Sequence, residues 1–118
     1  AYHIHFFTPE YDELLDWYIE TFGLVRFKRG TIETTANAPG MNLSFGNSET
    51  SRTATRGTAI DHIGFEIDDL EAFCRKLESQ GIEFEVPFRD VPSIGLKIAF
   101  LIDPAGVRVE LTEGYDEY

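Results

Sequence analysis

The residues of this chain with chemistry to offer are two histidines at matching places in its two halves and a glutamate close to its end. The first half opens His3-Ile4-His5-Phe6-Phe7-Thr8-Pro9, and the second opens His62-Ile63-Gly64-Phe65-Glu66-Ile67-Asp68, so that His3 falls on His62. The second half closes with Asp103-Pro104-Ala105-Gly106-Val107-Arg108-Val109-Glu110-Leu111. Two imidazoles and one carboxylate, each on a strand, make a 2-His-1-carboxylate donor set, which holds a divalent ion and leaves coordination positions open. A repeated unit gives the reason for such residues to converge. Metal binding by His3, His62 and Glu110 is therefore the chemistry to expect.

The elements that must position them follow from periodicity. Residues 2–7 alternate, with Ile4 and Phe6 on one face and His3, His5 and Phe7 on the other, as a half-buried strand requires. Thr8 is a suitable cap, with Pro9 at the first helical position, and Leu14, Leu15, Tyr18, Ile19 and Phe22 supply an apolar helical stripe that ends at Gly23. Strands are expected over 24–28, 31–35 and 41–45, with a turn over 36–40. The second half repeats the plan. His62, Gly64 and Glu66 share one strand face, and Asp68 followed by Glu71 has the spacing of a capping box. Leu70, Phe73, Cys74 and Leu77 form the second stripe, ending at Gly81. Three more strands are expected over 82–86, 96–102 and 107–112, the last placing Arg108, Glu110 and Thr112 on one face. The fold class is α+β: two tandem βαβββ modules forming a curved mixed sheet around a metal-containing cavity lined by these polar faces. A single domain is expected, with module one over 1–46, a linker over 47–58, module two over 59–113 and a short acidic tail, 114–118, that frays.

Composition narrows the function. A chain of 118 residues with 42% hydrophobic and 26% charged content is that of an ordinary globular domain with a core of its own. The net charge of −11 argues against nucleic-acid and anionic-membrane partners, which need a basic footprint. No apolar run reaches the length of a membrane span. The chain begins at Ala1 rather than Met, which is compatible with a removed leader, and a cytoplasmic location is the default expectation. The single Cys74 excludes an internal disulfide and a multi-thiolate zinc site, and its place on the helix stripe reads as a small buried hydrophobe.

With Asp61-His62-Ile63-Gly64-Phe65, Leu24 after Phe22-Gly23, and the stretch from Phe100 to Leu111 with its Asp-Pro-x-Gly turn, the whole chain resembles the vicinal oxygen chelate superfamily. That group includes glyoxalase I, extradiol dioxygenases, methylmalonyl-CoA epimerase and bleomycin-resistance proteins. The resemblance implies metal ligands on the first and fourth strands of each module, which here are His3, Ser44, His62 and Glu110. Ser44 departs from the glyoxalase pattern, which has a carboxylate or amide there. The resemblance then implies a three-ligand site for a divalent ion, with Fe(II) favoured over Zn, Ni, Co or Mn, and a small oxygenated substrate chelating through adjacent oxygens. An extradiol-type dioxygenase is the expected activity. The alternatives are a glyoxalase- or epimerase-like lyase or isomerase, and a ligand-sequestering protein of the bleomycin-resistance type. A homodimer is the expected assembly.

Two further residues are candidates for catalysis. His5 shares the face of His3, where it serves either as a base or substrate contact or as plain cavity lining. Arg108 shares the face of Glu110, where it holds an anionic substrate group, orients Glu110 or merely neutralises it. Glu66 is a weaker acid–base candidate against an exposed strand glutamate, and Phe7, Phe88 and Phe100 are either pocket lining or core.

Overall fold

The computed structural model describes residues 3–115. These fall into two compact units, Ala1–Thr53 and Ala54–Tyr118, a division inside the expected linker. The first unit runs β1 (His3–Phe7), α1 (Tyr11–Phe22), β2 (Val25–Arg29), β3 (Ile32–Ala38) and β4 (Met41–Gly46). The second runs β5 (His62–Glu66), α2 (Leu70–Ser79), β6 (Val86–Val91), a 3₁₀ turn at Pro92–Ile94, β7 (Leu96–Ile102) and β8 (Arg108–Glu113). Each unit is a four-stranded mixed sheet with one helix. The orders are β1-β4-β3-β2 and β5-β8-β7-β6, and the outer pairs β1–β4 and β5–β8 are parallel. The strand–helix–three-strand plan occurs twice, and the fold is α+β.

Burial explains why each helix lies on its sheet. In the first unit Leu14, Leu15 and Tyr18 of α1 are buried, and Tyr18 meets Phe6 and Phe45 with ring centroids 5.2 and 5.7 Å apart. Phe6 stacks on Phe45 at 4.9 Å, so three aromatic rings form the centre of that core. In the second unit Leu70, Cys74 and Leu77 of α2 are buried, as are Ala99, Leu101, Val109 and Leu111 of the sheet. Burial pushes the Cys74 thiol up to about 11, with the Glu78 charge adding to it, so this sulfur packs as a hydrophobe.

Several boundaries differ from the sequence reading. Thr8 does not cap α1: its N–H extends the β1–β4 ladder to the Gly46 carbonyl at 3.1 Å, and its hydroxyl donates to Glu10 Oε2 at 3.0 Å. The helix begins two residues later, and Glu10 at its N-cap makes no side-chain capping bond. For α2 the cap is Asp69 rather than Asp68. Asp69 sits in the left-handed region at φ 49 and accepts the Ala72 N–H. The glutamate of the cap comes from another strand: Glu113 Oε1 accepts the Leu70 N–H at 2.7 Å, and Lys97 Nζ lies 2.9 Å from Glu113 Oε2. That N–H first, and Lys97 second, hold the Glu113 carboxyl below its ordinary value.

Strand β3 runs on to Ala38 because Ala36 and Ala38 are buried and pair with Leu43 and Met41, which leaves Pro39-Gly40 as a two-residue turn. The strand expected over 82–86 is instead β6, Val86–Val91. Pro87 obscures it in the sequence, but β6 lies at the sheet edge and its register with β7 shifts between Val86 and Arg89. A residue without an N–H is tolerated at such a place. Among the described residues no helix is long and apolar enough to cross a membrane.

Candidate functional site

Strand register makes the two units equivalent at the positions that matter. His3 pairs with Asn42 and His5 with Ser44, while His62 pairs with Arg108 and Gly64 with Glu110. His3 thus corresponds to His62, and Ser44 to Glu110. The equivalents differ in chemistry. In the first unit Ser44 is buried and its hydroxyl donates to Asn42 Oδ1 at 3.0 Å, while the Asn42 amide donates to Asn37 Oδ1 at 2.9 Å. This neutral network offers no carboxylate. His5 stacks on Phe7, ring centroids 4.1 Å apart, and both lie on the exposed face of β1 together with His3.

In the second unit the corresponding positions carry charge. His62 Nε2 stands 3.2 Å from Glu110 Oε2, with side-chain exposures of 36% and 22%. The pair is diagonal across the parallel β5–β8 ladder, where alternation puts both side chains on one face. On the other side of the ring, His62 Nδ1 lies 2.7 Å from Asp61 Oδ1. The Gly57 N–H at 2.6 Å, then His62, then Arg108, hold the Asp61 carboxyl well below the usual carboxylate range. An ionised Asp61 can only accept, so Nδ1 must donate. Nε2 then faces a second carboxylate, and two lone pairs do not face each other across 3.2 Å. A proton carried by either group, or a metal ion, would bridge that gap.

The donor set fits an ion. Nitrogen and oxygen ligands at about 2.0–2.2 Å from a common ion in neighbouring positions lie roughly 3.0–3.4 Å apart, and the observed separation of 3.2 Å falls within that range. Asp61 on the far ring nitrogen is the outer partner that metal-bound histidines usually have. The structure brings His62 and Glu110 together, whereas His3 lies in the first unit. Among the described residues of either unit no three His, Cys, Asp or Glu side chains form a group that could hold a metal ion.

A cleft of about 450 Å³ opens at this pair, lined by His62, Gly64, Glu66, Glu110, Thr112 and Tyr115. Glu66 is more than an exposed strand residue: its carboxylate accepts from Thr112 Oγ1 at 2.6 Å and from the Gly114 N–H at 2.8 Å. Gly114 and Tyr115, assigned to a frayed tail by the sequence reading, belong to the site; residues 116–118 lie outside the described ones.

Arg108 is engaged on two sides, its Nη1 lying 3.0 Å from Asp61 Oδ1 and its Nη2 2.7 Å from Glu85 Oε1. Burial works against its charge, but Glu85 and Asp61 together outweigh this and raise its pKa. Its partners are therefore Asp61 and Glu85, and not the Glu110 carboxylate that the sequence reading offered it. Asp61 had a signal in the sequence, a carboxylate directly before a candidate ligand. Glu85 and Tyr115 had none, because an irregular segment and the chain end bring them in.

A family model for the glyoxalase/bleomycin resistance protein/dioxygenase superfamily matches residues 2–111. No curated protein is similar enough to the chain to match it. Among solved structures, the chain is similar to a glyoxalase family protein from Enterococcus faecalis, at 22% identity and a TM-score of 0.74 over 96% of each chain. It is also similar to a glyoxalase/bleomycin resistance protein/dioxygenase from Alicyclobacillus acidocaldarius, at 20% identity and a TM-score of 0.74 over 99% of this chain and 92% of that one. TioX from Micromonospora sp. ML1 matches at 18% identity and a TM-score of 0.72 over 96% and 97% of the two chains. These likenesses show the shared fold, and the chain belongs to the glyoxalase/bleomycin resistance protein/dioxygenase superfamily.

Proposed function

We propose that the chain is a divalent-metal-dependent enzyme whose ion is held by His62 and Glu110, with His3 as third ligand, and that it acts on a small substrate bearing adjacent oxygens. The observation that carries this reading is the 3.2 Å approach of His62 Nε2 to Glu110 Oε2 with Asp61 behind Nδ1. When bound, the ion supplies Lewis acidity at the substrate oxygens. The chain's own residues set the rest. Asp61 keeps the Nδ1 proton in place, Glu110 offers its carboxylate beside the imidazole, and Ser44 contributes no fourth anionic ligand. A three-residue set leaves room for a bidentate substrate and dioxygen, which favours Fe(II) and extradiol-type oxygenation. His5 is the proposed acceptor of a substrate hydroxyl proton.

Elemental analysis of protein prepared without oxygen or chelator tests the reading. About one iron per chain is expected in the parent protein, and its loss in Glu110→Ala. No uptake of any divalent metal after reconstitution would overturn the enzyme reading and leave a ligand-sequestering protein.

Glu66 favours a second reading, proton transfer of the lyase or isomerase kind. Its carboxylate lines the same cleft and is fixed by two donors, as a general base must be. Under this reading an α-hydroxy ketone incubated with zinc-loaded protein exchanges its C–H proton for solvent deuterium, and Glu66→Gln slows the exchange by about 10²-fold or more. Exchange that is equally fast in the variant would remove Glu66 from the chemistry.

A further inference from the structure

A line of contacts runs from His62 away from the cleft. Asp61 Oδ1 receives His62 Nδ1 at 2.7 Å and Arg108 Nη1 at 3.0 Å on the same oxygen. Arg108 Nε and Nη2 both point at Glu85 Oε1, at 2.8 and 2.7 Å, and Arg56 Nη1 lies 3.3 Å from Glu85 Oε2. The guanidinium rests over the Phe100 ring, 4.0 Å from its centroid, and Phe100 meets His62 edge to face at 5.5 Å. The Arg108 side chain is only 15% exposed. The main chain is fixed as well, since Thr55 Oγ1 accepts the Arg108 N–H and donates to the Asp61 carbonyl, each at 2.8 Å.

We propose that Arg108, held by Glu85, is a positioning residue for His62: it locks Asp61 as the acceptor of the Nδ1 proton and so aims Nε2 at Glu110. The inference rests on the reading that Nε2 is the functional nitrogen of this site. The physical case is geometric. Asp61 and His62 are neighbours in sequence at the start of a strand, and about a third of each side chain is exposed, so the pair alone has freedom to rotate. A planar guanidinium clamped between two carboxylates and stacked on a ring does not rotate, and a lysine cannot reproduce that fork. Which nitrogen of a histidine keeps its proton is set by the bond that the other nitrogen makes. Here Asp61 makes that bond and Arg108 holds Asp61. Arg108 therefore acts on the site through another side chain, without contact to substrate.

Long-range proton–nitrogen spectra of the His62 ring in ¹⁵N-labelled, metal-free protein read this directly. The parent protein is expected to show a protonated Nδ1. In Arg108→Gln and in Glu85→Gln protonation should shift from Nδ1 toward Nε2, and Arg108→Lys should recover only part of the parent spectrum. Co(II) affinity is expected to fall about 10–100-fold in Arg108→Gln, the usual cost of losing an outer partner. A folded Arg108→Gln protein with the parent ring spectrum and parent Co(II) affinity would overturn the proposal. If Arg108→Gln fails to fold, the same two measurements on Glu85→Gln decide the matter in the same way. Failure of the parent protein to take up Co(II) would count against the metal reading alone, because the ring spectra decide the positioning role without metal.

Discussion

His62→Ala is expected to abolish stoichiometric metal uptake while the protein stays folded. The variant removes the one nitrogen that faces Glu110 across 3.2 Å, and it leaves Asp61 with two other donors, the Gly57 N–H and Arg108. The loss in affinity should exceed the roughly 10–100-fold cost of removing an outer partner, since a ligand itself is gone. Stability should change little. The His62 side chain is 36% exposed, and partly exposed polar pairs such as those it makes with Asp61 and Glu110 contribute at most about 1 kcal/mol. Isothermal titration with Zn(II) and Co(II), with a thermal melt of the same samples, checks both parts. Parent-like metal content in the variant would remove His62 from the site. Equal losses of metal and of folding would instead recast the ring as a structural bridge between Asp61 and Glu110.

The legible parts of the sequence were those that repeat or alternate. The βαβββ plan was readable twice because each module has one alternating first strand and one amphipathic helix closed by glycine. The equivalence of His3 with His62, and of Ser44 with Glu110, needed only a common register, which the parallel β1–β4 and β5–β8 ladders share. What sequence could not give were partners distant in the chain. The glutamate that caps α2 is Glu113, more than forty residues beyond Leu70, and no local pattern points to it. Glu85 reaches Arg108 from a segment without regular structure, and Pro87 hid the strand that follows. Thr55 lay in a polar stretch without apolar period, yet it clamps Asp61 to β8 through two hydrogen bonds. A polar hydroxyl with two backbone partners leaves no periodic trace. The chemistry of Arg108 was open for the same reason, because its role depends on which carboxylate it meets and not on its place in a strand.

Gly114→Ala should be the most damaging small substitution in the second unit, and it should reach the cleft. Gly114 has φ 102, a conformation that side-chain-bearing residues rarely adopt, and a Cβ there would come within 2.9 Å of the Gly95 carbonyl oxygen. The obstacle is backbone, so no side chain can swing aside. Gly95 itself has φ 70 in the turn that leads into β7, which limits how far it can retreat. Backbone strain and overpacking together should cost about 2–4 kcal/mol, a drop in melting temperature on the order of 10 °C for a chain of this size. Gly81→Ala is the control. Gly81 also has positive φ, at 90, but a Cβ there meets nothing within 4 Å, so only the backbone preference is lost, about 1–2 kcal/mol. The functional consequence follows from the neighbouring bonds. The Gly114 N–H donates to Glu66 Oε2, and Glu113 beside it caps α2, so a shift of this turn loosens the Glu66 carboxylate and the helix start together. Urea unfolding of the two variants separates the cases. A Gly114→Ala midpoint equal to that of Gly81→Ala would mean that the turn yields freely and that the Gly95 carbonyl sets no limit on it.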